Sequence, residues 1–228
     1  IAGGGSSARP GEVSLAHNGV LFLDELPDFG RSVLEVLRQP LEERRVVVSR
    51  ARYSVEYPAN FILVAAMNPC PCGYYNHPAR ECVCSPGTVH RYMGRISGPL
   101  MDRIDLHVEA MPVEYEALAA EAGGESSAAI RARVTAARKV QQERCTDLPG
   151  VRCNAQLPGA ALRKYCRMTP KAQQILRASF ERLGYSARAY DRILRVARTV
   201  ADLAGKTLLD EDSLLEALQY RAQEKLDG

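Results

Sequence analysis

The sequence has no match to the phosphate-binding motif G-x-x-x-x-G-K-[ST] in its 228 residues. A glycine-rich stretch at positions 3–5 is followed by two serines and by no lysine, so a complete loop of this type is excluded within the chain. The sequence also lacks a signal peptide and an apolar run long enough to cross a membrane. We therefore expect a cytoplasmic protein in a reducing compartment, with no membrane partner.

The chain also lacks a strongly charged tail, an internal repeat and a low-complexity segment. Its 30 basic and 27 acidic residues give a formal net charge of only +3. Any contact with nucleic acid must therefore come from local arginines rather than from bulk charge. With 46% hydrophobic residues, a chain of this length can bury a core and form two lobes.

Two apolar runs each end in polar side chains. The run at 20–23 is followed by Asp24 and Glu25, and the run at 61–67 is followed by Asn68. Such runs predict buried parallel strands, and ligands of open α/β sheets lie beyond the carboxyl ends of these strands. Carboxylates there can hold Mg²⁺ and polarise the water that attacks a γ-phosphate, while an asparagine can position both water and phosphate. The alternatives are acids that cap a core strand and an Asn-Pro turn, but the two ends together favour a nucleotide site.

Four segments in a fixed order extend this pattern over nearly all of the first half of the chain. They are RPGEVSLAHNG at 9–19, LFLDEL at 21–26, AAMNPCPCG at 65–73 and RISGPLMDRIDLH at 95–107. In this combination the chain resembles the helix-insert clade of AAA+ ATPases, and within it the magnesium-chelatase-like YifB/ComM family of bacteria. The resemblance implies an α/β fold in which an incomplete AAA+ P-loop NTPase core is followed by an all-helical lid.

The resemblance implies a role for each polar strand end. Asp24 and Glu25 match the Walker B pair, in which Asp24 holds Mg²⁺ and ATP and Glu25 is the general base. Asn68 matches the sensor 1 residue. The resemblance therefore implies that Asp24, Glu25 and Asn68 are catalytic residues.

The resemblance also assigns two arginines. Arg103 matches the arginine finger that reaches the γ-phosphate of a neighbouring subunit, and its structural alternative is a surface ion pair with Asp102 or Asp105. Arg188 matches the sensor 2 arginine that binds ATP from the start of a lid helix, and its alternative is a solvated position at that helix start. Two further arginines are weaker candidates for phosphate or interface contacts: Arg95 and Arg192.

For the intact protein the resemblance implies a homo-hexameric ring that uses ATP to move along or remodel DNA. The most specific function that it implies is branch migration during natural transformation. Because the P-loop and the family's Lon-like N-terminal domain are missing, we expect this chain to be the C-terminal part of a longer protein and to hydrolyse little ATP alone. Two alternatives stay open: a chelatase motor subunit that drives metal insertion into a tetrapyrrole, and a non-catalytic, zinc-stabilised interaction module.

Four of the seven cysteines form two C-x-C pairs, Cys70 with Cys72 and Cys82 with Cys84. Four thiolates in one short loop predict a tetrahedral Zn²⁺ site, although a single spacer residue is shorter than the usual two to four. Such a site would be structural, because four cysteines leave no open coordination position. The alternative is a loop of free thiols or an oxidised pair.

Residues 44–58 alternate in the manner of a β-hairpin whose tip is basic through Arg50 and Arg52. In the resembled clade this hairpin points into the central pore of the ring. Arginines there can hold a DNA backbone through its phosphates without reading the sequence. The alternative is a solvated turn.

We place the boundary between the nucleotide-binding core and the lid at 111–112, so that the core spans 1–111 and the lid spans 112–228. Thr169 and Asp210 are expected to cap lid helices. Before the hairpin, a helix is expected over 32–42, with Pro40 as a kink or an end. The predicted lid helices cover 128–144, 158–166, 170–183, 187–204 and 210–225.

Overall fold

A computed structural model describes residues 1–4, 8–50, 53–113 and 124–222 of the protein. The chain divides into two compact units, Ile1–Ile104 and Asp105–Gly228, whereas the sequence placed the division at 111–112. Across the described ranges, no helix has both the length and the apolar character that a membrane span needs.

The first unit contains short strands that pair two by two in the described residues. The strands are β1 (Gly3–Gly4), β2 (Arg9–Pro10), β3 (Val20–Leu23), β4 (Arg45–Arg50), β5 (Tyr53–Pro58) and β6 (Ile62–Ala65). β1 pairs with β2 and β4 with β5 in antiparallel fashion, whereas β3 and β6 are parallel. The parallel pair and the hairpin predicted at 44–58 are therefore confirmed.

Of the parallel pair, β3 is buried on one face only, and β6 has no fully buried residue. Leu21 and Leu23 lie in the core of the first unit, but Phe22 is 59% exposed and Val64 is 43% exposed. Successive side chains of a strand point to opposite faces, and the core cluster covers only the Leu21 side. The prediction of buried strands was therefore wrong for the other side.

The helices of the first unit are short. They are α1 (Glu12–Leu15), a 3₁₀ turn (Leu26–Phe29), α2 (Arg31–Glu35), α3 (Arg38–Glu43), α4 (Pro86–Met93) and α5 (Gly98–Met101). The single helix expected over 32–42 is split before Pro40, which lies in the first turn of α3. Proline is tolerated there because the first-turn amide has no partner within the helix. The sequence pattern predicts Val33, Leu34 and Leu37 on the core face; Leu34 and Leu37 are buried there, whereas Val33 is 37% exposed.

The second unit is built from helices. They are α6 (Ser127–Arg144), a 3₁₀ turn (Asn154–Gln156), α7 (Gly159–Tyr165), α8 (Pro170–Leu183), α9 (Ala187–Leu203) and α10 (Glu211–Ala222). The predicted bounds agree to within one residue at each described end. The hydroxyl of Thr169 accepts the Ala172 amide at 3.1 Å, and Asp210 accepts the Ser213 amide at 3.1 Å, so both predicted caps are confirmed.

One local feature of the second unit differs from the all-helical prediction for 112–228, since a parallel β-bridge joins Met168 to Leu209. Residues 106–108 precede the predicted lid, and their sequence predicts a third strand of the core. In the structure they form no ladder, and the His107 amide donates to the carbonyl of Tyr220 at 2.9 Å. Because the residues on either side are exposed, this stretch has no apolar face to bury against a partner strand.

A buried ion network fixes α9 against its neighbours. The Asp202 carboxylate accepts hydrogen bonds from Arg144, from Arg198 at 3.0 Å and from the Asn154 amide at 2.7 Å. Arg198 also donates to the carbonyl of Thr207 at 2.8 Å. The Asp202 and Arg198 side chains are almost completely buried, so each needs the other's charge.

Replacing Asp202 by alanine is expected to lower the free energy of unfolding by about 3–5 kcal/mol, because it leaves buried guanidinium groups without a counter-ion. The measurement is chemical denaturation followed by helical circular dichroism. The matched control is Glu181→Ala, which breaks an exposed ion pair of the same i,i+4 spacing with Arg177 and should cost about 1 kcal/mol or less. Similar losses in the two variants would contradict the network's importance.

Candidate functional site

The carboxyl ends of β3 and β6 lie side by side. Leu23 is in register with Ala65, and the Ala66 amide donates to the Leu23 carbonyl at 2.9 Å. The chain then crosses back, because the Leu26 amide donates to the Ala66 carbonyl at 3.0 Å. These bonds place the turn that carries Asp24 and Glu25 at the same sheet edge as the segment that leads to Asn68. All three polar side chains belong to exposed residues and are accessible to a ligand.

Glu25 adopts a strained backbone conformation. Its φ of 49° and ψ of 50° lie in the left-handed region, which costs a residue with a side chain about 1–3 kcal/mol. The Asp24 carboxylate accepts the Glu25 amide at 3.0 Å, and the 3₁₀ turn begins at the next residue. The strain is therefore held by hydrogen bonds on both sides of Glu25, as in sites where a side chain must be aimed.

Arg95, two residues after the end of α4, contacts this turn. Arg95 donates to the Asp28 carboxylate at 2.9 Å, and its guanidinium lies 5.9 Å from the Tyr92 ring. Burial raises the pKa of Tyr92, as do the charges of Asp28 and Glu25, while a hydrogen bond with the Asn68 backbone opposes the shift. The sequence indicated Arg95 as a weak candidate and missed Tyr92, for which no motif gave a signal.

Arg103 is buried within its own unit. It donates to the Glu42 carboxylate at 2.7 Å and to the Pro99 carbonyl at 2.5 Å, and its side chain is 6% exposed. This acidic partner, Glu42, is not one of the two that the sequence suggested, Asp102 and Asp105. In this arrangement Arg103 is not presented to another subunit, and its role as an arginine finger stays a prediction.

The structure describes the other predicted arginines less uniformly: it locates the side chains of two of them and only part of the hairpin tip. Arg188 is exposed in the first turn of α9, directly after the helix cap at Ser186, whose hydroxyl accepts the Ala189 amide. Arg192, one turn further on, forms an ion pair with Asp105. The tips of the hairpin strands are less completely described: Arg50 ends β4, and Arg52 lies outside the described residues.

The four cysteines of the C-x-C pairs converge. Their sulfur atoms all lie within 4.8 Å of one another, and Cys70 Sγ is 3.3 Å from Cys72 Sγ and 3.7 Å from Cys82 Sγ. These separations are too long for a disulfide, which requires about 2.0 Å. Zinc–sulfur bonds of about 2.3 Å at tetrahedral angles would separate the sulfurs by about 3.8 Å. The cluster therefore has the ligand type, number and spacing of a tetrathiolate metal site, and its four cysteines are free thiols rather than an oxidised pair.

The loop shifts the pKa values of the cluster thiols in opposite directions. A hydrogen bond with the Tyr74 backbone is the largest of the causes that lower the pKa of Cys72 to about 6. For Cys82 and Cys84, a backbone hydrogen bond is outweighed by burial and by the neighbouring cysteine sulfurs, which raise the pKa of both thiols. Backbone groups that hydrogen-bond to ligand sulfurs are the usual outer-shell partners of metal sites. Because a metal binds thiolates, binding at this cluster would release protons.

Comparison with known proteins identifies the chain. Its residues 1–118 match the family model described as magnesium chelatase, subunit ChlI, and residues 124–221 match the model of that subunit's C-terminal part. Competence protein ComM of Haemophilus influenzae is 44% identical over 228 residues, and YifB of Escherichia coli is 43% identical over 230 residues. The chain belongs to the magnesium-chelatase-like YifB/ComM family. The resemblance inferred from the motifs is therefore confirmed.

Membership of the YifB/ComM family places the chain among the magnesium-chelatase-like AAA+ proteins. The mixed α/β first unit and the helical second unit agree with that family. The alignments cover 99% of this chain but 43% of ComM and 44% of YifB. The chain thus spans less than half the length of these curated relatives, and the activity of a whole protein is a matter for proposal.

Proposed function

We propose that the protein containing this chain is an ATP-driven AAA+ ring motor that acts on DNA, with branch migration during natural transformation as its role. The observation that carries the proposal is the shared sheet edge, where the strained Asp24–Glu25 turn and the Asn68 segment meet. The similarity to a competence protein over 99% of the chain supports a competence-related role. ATP with Mg²⁺ is the cofactor proposed for this edge, and the ring is proposed to be a homo-hexamer in the cytoplasm.

Each polar residue has a distinct task in the proposed reaction. Asp24 holds the Mg²⁺ shell, and Glu25 accepts a proton from the attacking water. Asn68 orients that water against the γ-phosphate, because phosphoryl transfer depends mainly on positioning and charge stabilisation. Arg188 binds the nucleotide from the lid. Since no residue of this chain supplies the phosphate-binding loop, the chain alone is proposed to hydrolyse little or no ATP.

Zn²⁺ is proposed as a second, structural cofactor in the four-cysteine cluster. The sulfur separations fit one tetrahedral ion, and thiolate ligands favour zinc in a reducing compartment. An ion with four protein ligands has no open position for substrate. It would therefore stabilise the loop and take no direct part in hydrolysis.

A chelatase motor subunit is the second candidate, because both matching family models carry the magnesium chelatase description. In that case the ring would work on a metal-inserting protein partner rather than on DNA. Both candidates use the same ATP site. They differ in whether the hairpin tip contacts DNA, so a test of DNA contact at the tip distinguishes them.

The deciding experiment measures ATP hydrolysis by the full-length protein with and without branched DNA. We expect DNA to stimulate hydrolysis, and Arg50→Ala with Arg52→Ala to abolish the stimulation while leaving the DNA-independent rate unchanged. DNA affinity of the double variant should also depend less on salt, by about 0.9 in the logarithmic slope for each phosphate that the protein no longer neutralises. The control is Arg177→Ala together with Arg182→Ala on α8, which removes equal charge elsewhere. Hydrolysis that ignores DNA in the wild type would exclude the DNA motor and favour the chelatase candidate.

A further inference from the structure

In the sequence, the four-cysteine cluster lies between Asn68 and helix α4, the two elements that lead to the turn carrying Glu25. Cys70 follows Asn68 by two residues, so their Cα atoms are at most about 7.6 Å apart. Cys84 immediately precedes Ser85, the cap of α4, whose hydroxyl accepts the Thr88 amide at 3.3 Å. The first ligand is thus joined to the sensor segment and the last ligand to the start of a helix.

Helix α4 returns to the sheet edge at its other end. There Arg95 donates to the carboxylate of Asp28 and, at 3.5 Å, to the carbonyl of Pro27, in the turn that follows Glu25. Tyr92, one residue before the end of α4, lies with its ring 5.9 Å from the same guanidinium. The chain therefore runs from Asn68 through the cluster and α4, and it returns through Arg95 to the turn that follows Glu25.

We propose that a Zn²⁺ ion bound by Cys70, Cys72, Cys82 and Cys84 positions Asn68 and the Glu25 turn for catalysis. The ion clamps the two ends of the loop, and α4 carries that constraint to Pro27 and Asp28 through Arg95. This inference rests on the proposed ATPase function and adds to it a dependence on a metal outside the nucleotide site. Because all four ligands are protein sulfurs, the ion acts through position alone.

The local packing explains why the clamp depends on a metal. Cys70 is fully buried, but the other three cysteines are only half-buried and the residues between the pairs are mostly exposed. Val83, between two ligands, is 86% exposed. A loop with so little apolar burial cannot offset the entropy of ordering its backbone, whereas a metal that binds only the folded loop contributes its binding energy to that order.

The experiment compares the full-length wild type with Cys72→Ser and Cys82→Ser, using Cys153→Ser as the control because Cys153 lies outside the cluster. Metal is measured as zinc per chain after purification, and by the thiolate-to-metal absorption of Co²⁺ added to stripped protein. We expect one ion per chain in the wild type and in the control, and loss of the ion in the two cluster variants.

Positioning is then read in two ways. Amide hydrogen exchange should become faster at 66–69 and 86–95 on metal removal and stay unchanged in α8. The kcat for ATP hydrolysis should fall by as much as about 10²-fold, the effect of small misplacement of catalytic groups, with the affinity for ATP unchanged and with recovery when Zn²⁺ is returned to the stripped wild type.

The outcomes separate the two proposals. Absence of metal in the wild type, or unchanged exchange at 66–69 after its removal, overturns the positioning role. Metal-dependent exchange in a full-length protein that shows no hydrolysis under any condition overturns the ATPase instead, and leaves the metal clamp supported. Cluster variants that lose the ion but keep the wild-type kcat also overturn the positioning role.

Discussion

Replacing Glu25 by glutamine in the full-length protein is expected to slow ATP hydrolysis by about 10²–10⁴-fold, the contribution of a positioned general base. Glutamine has nearly the same shape but cannot accept the proton of the attacking water. The hydrogen bond from the residue 25 amide to Asp24 involves the backbone, so the strained turn should persist. ATP affinity, measured by equilibrium titration, should therefore be close to that of the wild type.

The control for this prediction is Glu181→Gln, which makes the same chemical change at an exposed position of α8. Its hydrolysis rate should equal that of the wild type. A wild-type rate in Glu25→Gln would show that another group accepts the proton. A parallel loss of ATP affinity would instead indicate that the side chain holds the nucleotide or its Mg²⁺.

The strand ends were predictable from the sequence because their signals are local. A strand that stops at Asp24 and a second that stops before Asn68 are each visible as an apolar run followed by a polar residue. The lid helices were equally accessible, since their periodicity and their caps at Thr169 and Asp210 depend on neighbours within a few residues. Such features need no knowledge of the rest of the fold.

Features that depend on distant partners were not predictable. Arg103 pairs with Glu42, 61 positions earlier, a partner that neither the arginine-finger assignment nor its alternative indicated. Arg95 meets Asp28, 67 positions earlier, only because the end of α4 returns to the sheet edge. The exposed side of Phe22 could not be foreseen either, because an apolar run indicates that a residue can be buried and not which element covers it.

The cysteine cluster was predictable in part, because the sequence identifies its residues but not their arrangement. The spacing of the two C-x-C pairs identified the four residues but left open whether their sulfurs meet. The turn closed by the Gly73 amide on the Cys70 carbonyl, at 3.0 Å, folds the first pair toward the second. Convergence of four thiols is therefore a property of the loop backbone, which the residue types alone do not reveal.

The burial of Arg103 leads to the sharpest test of the ring. Arg103→Ala is expected to reduce hydrolysis by about 10³-fold or more, the usual contribution of an arginine finger. If the arginine acts on a neighbour, it must leave Glu42 when the ring assembles. Glu42→Gln weakens the pair that holds Arg103 in its own unit, so this variant should hydrolyse ATP at least as fast as the wild type.

Mixing two inactive variants distinguishes action between subunits from a structural role. An Arg103→Ala subunit retains Glu25, and a neighbouring Glu25→Gln subunit can supply Arg103, so mixed rings should recover hydrolysis that neither variant shows alone. The control mixture is Glu25→Gln with Asp24→Asn, which damage the same site and should not complement each other. If the first mixture also fails, and Glu42→Gln destabilises the fold as much as Arg103→Ala does, then Arg103 acts as the buried partner of Glu42. The γ-phosphate contact would then belong to another residue, because a guanidinium held at 2.7 Å from a carboxylate in its own unit cannot neutralise charge in a neighbour.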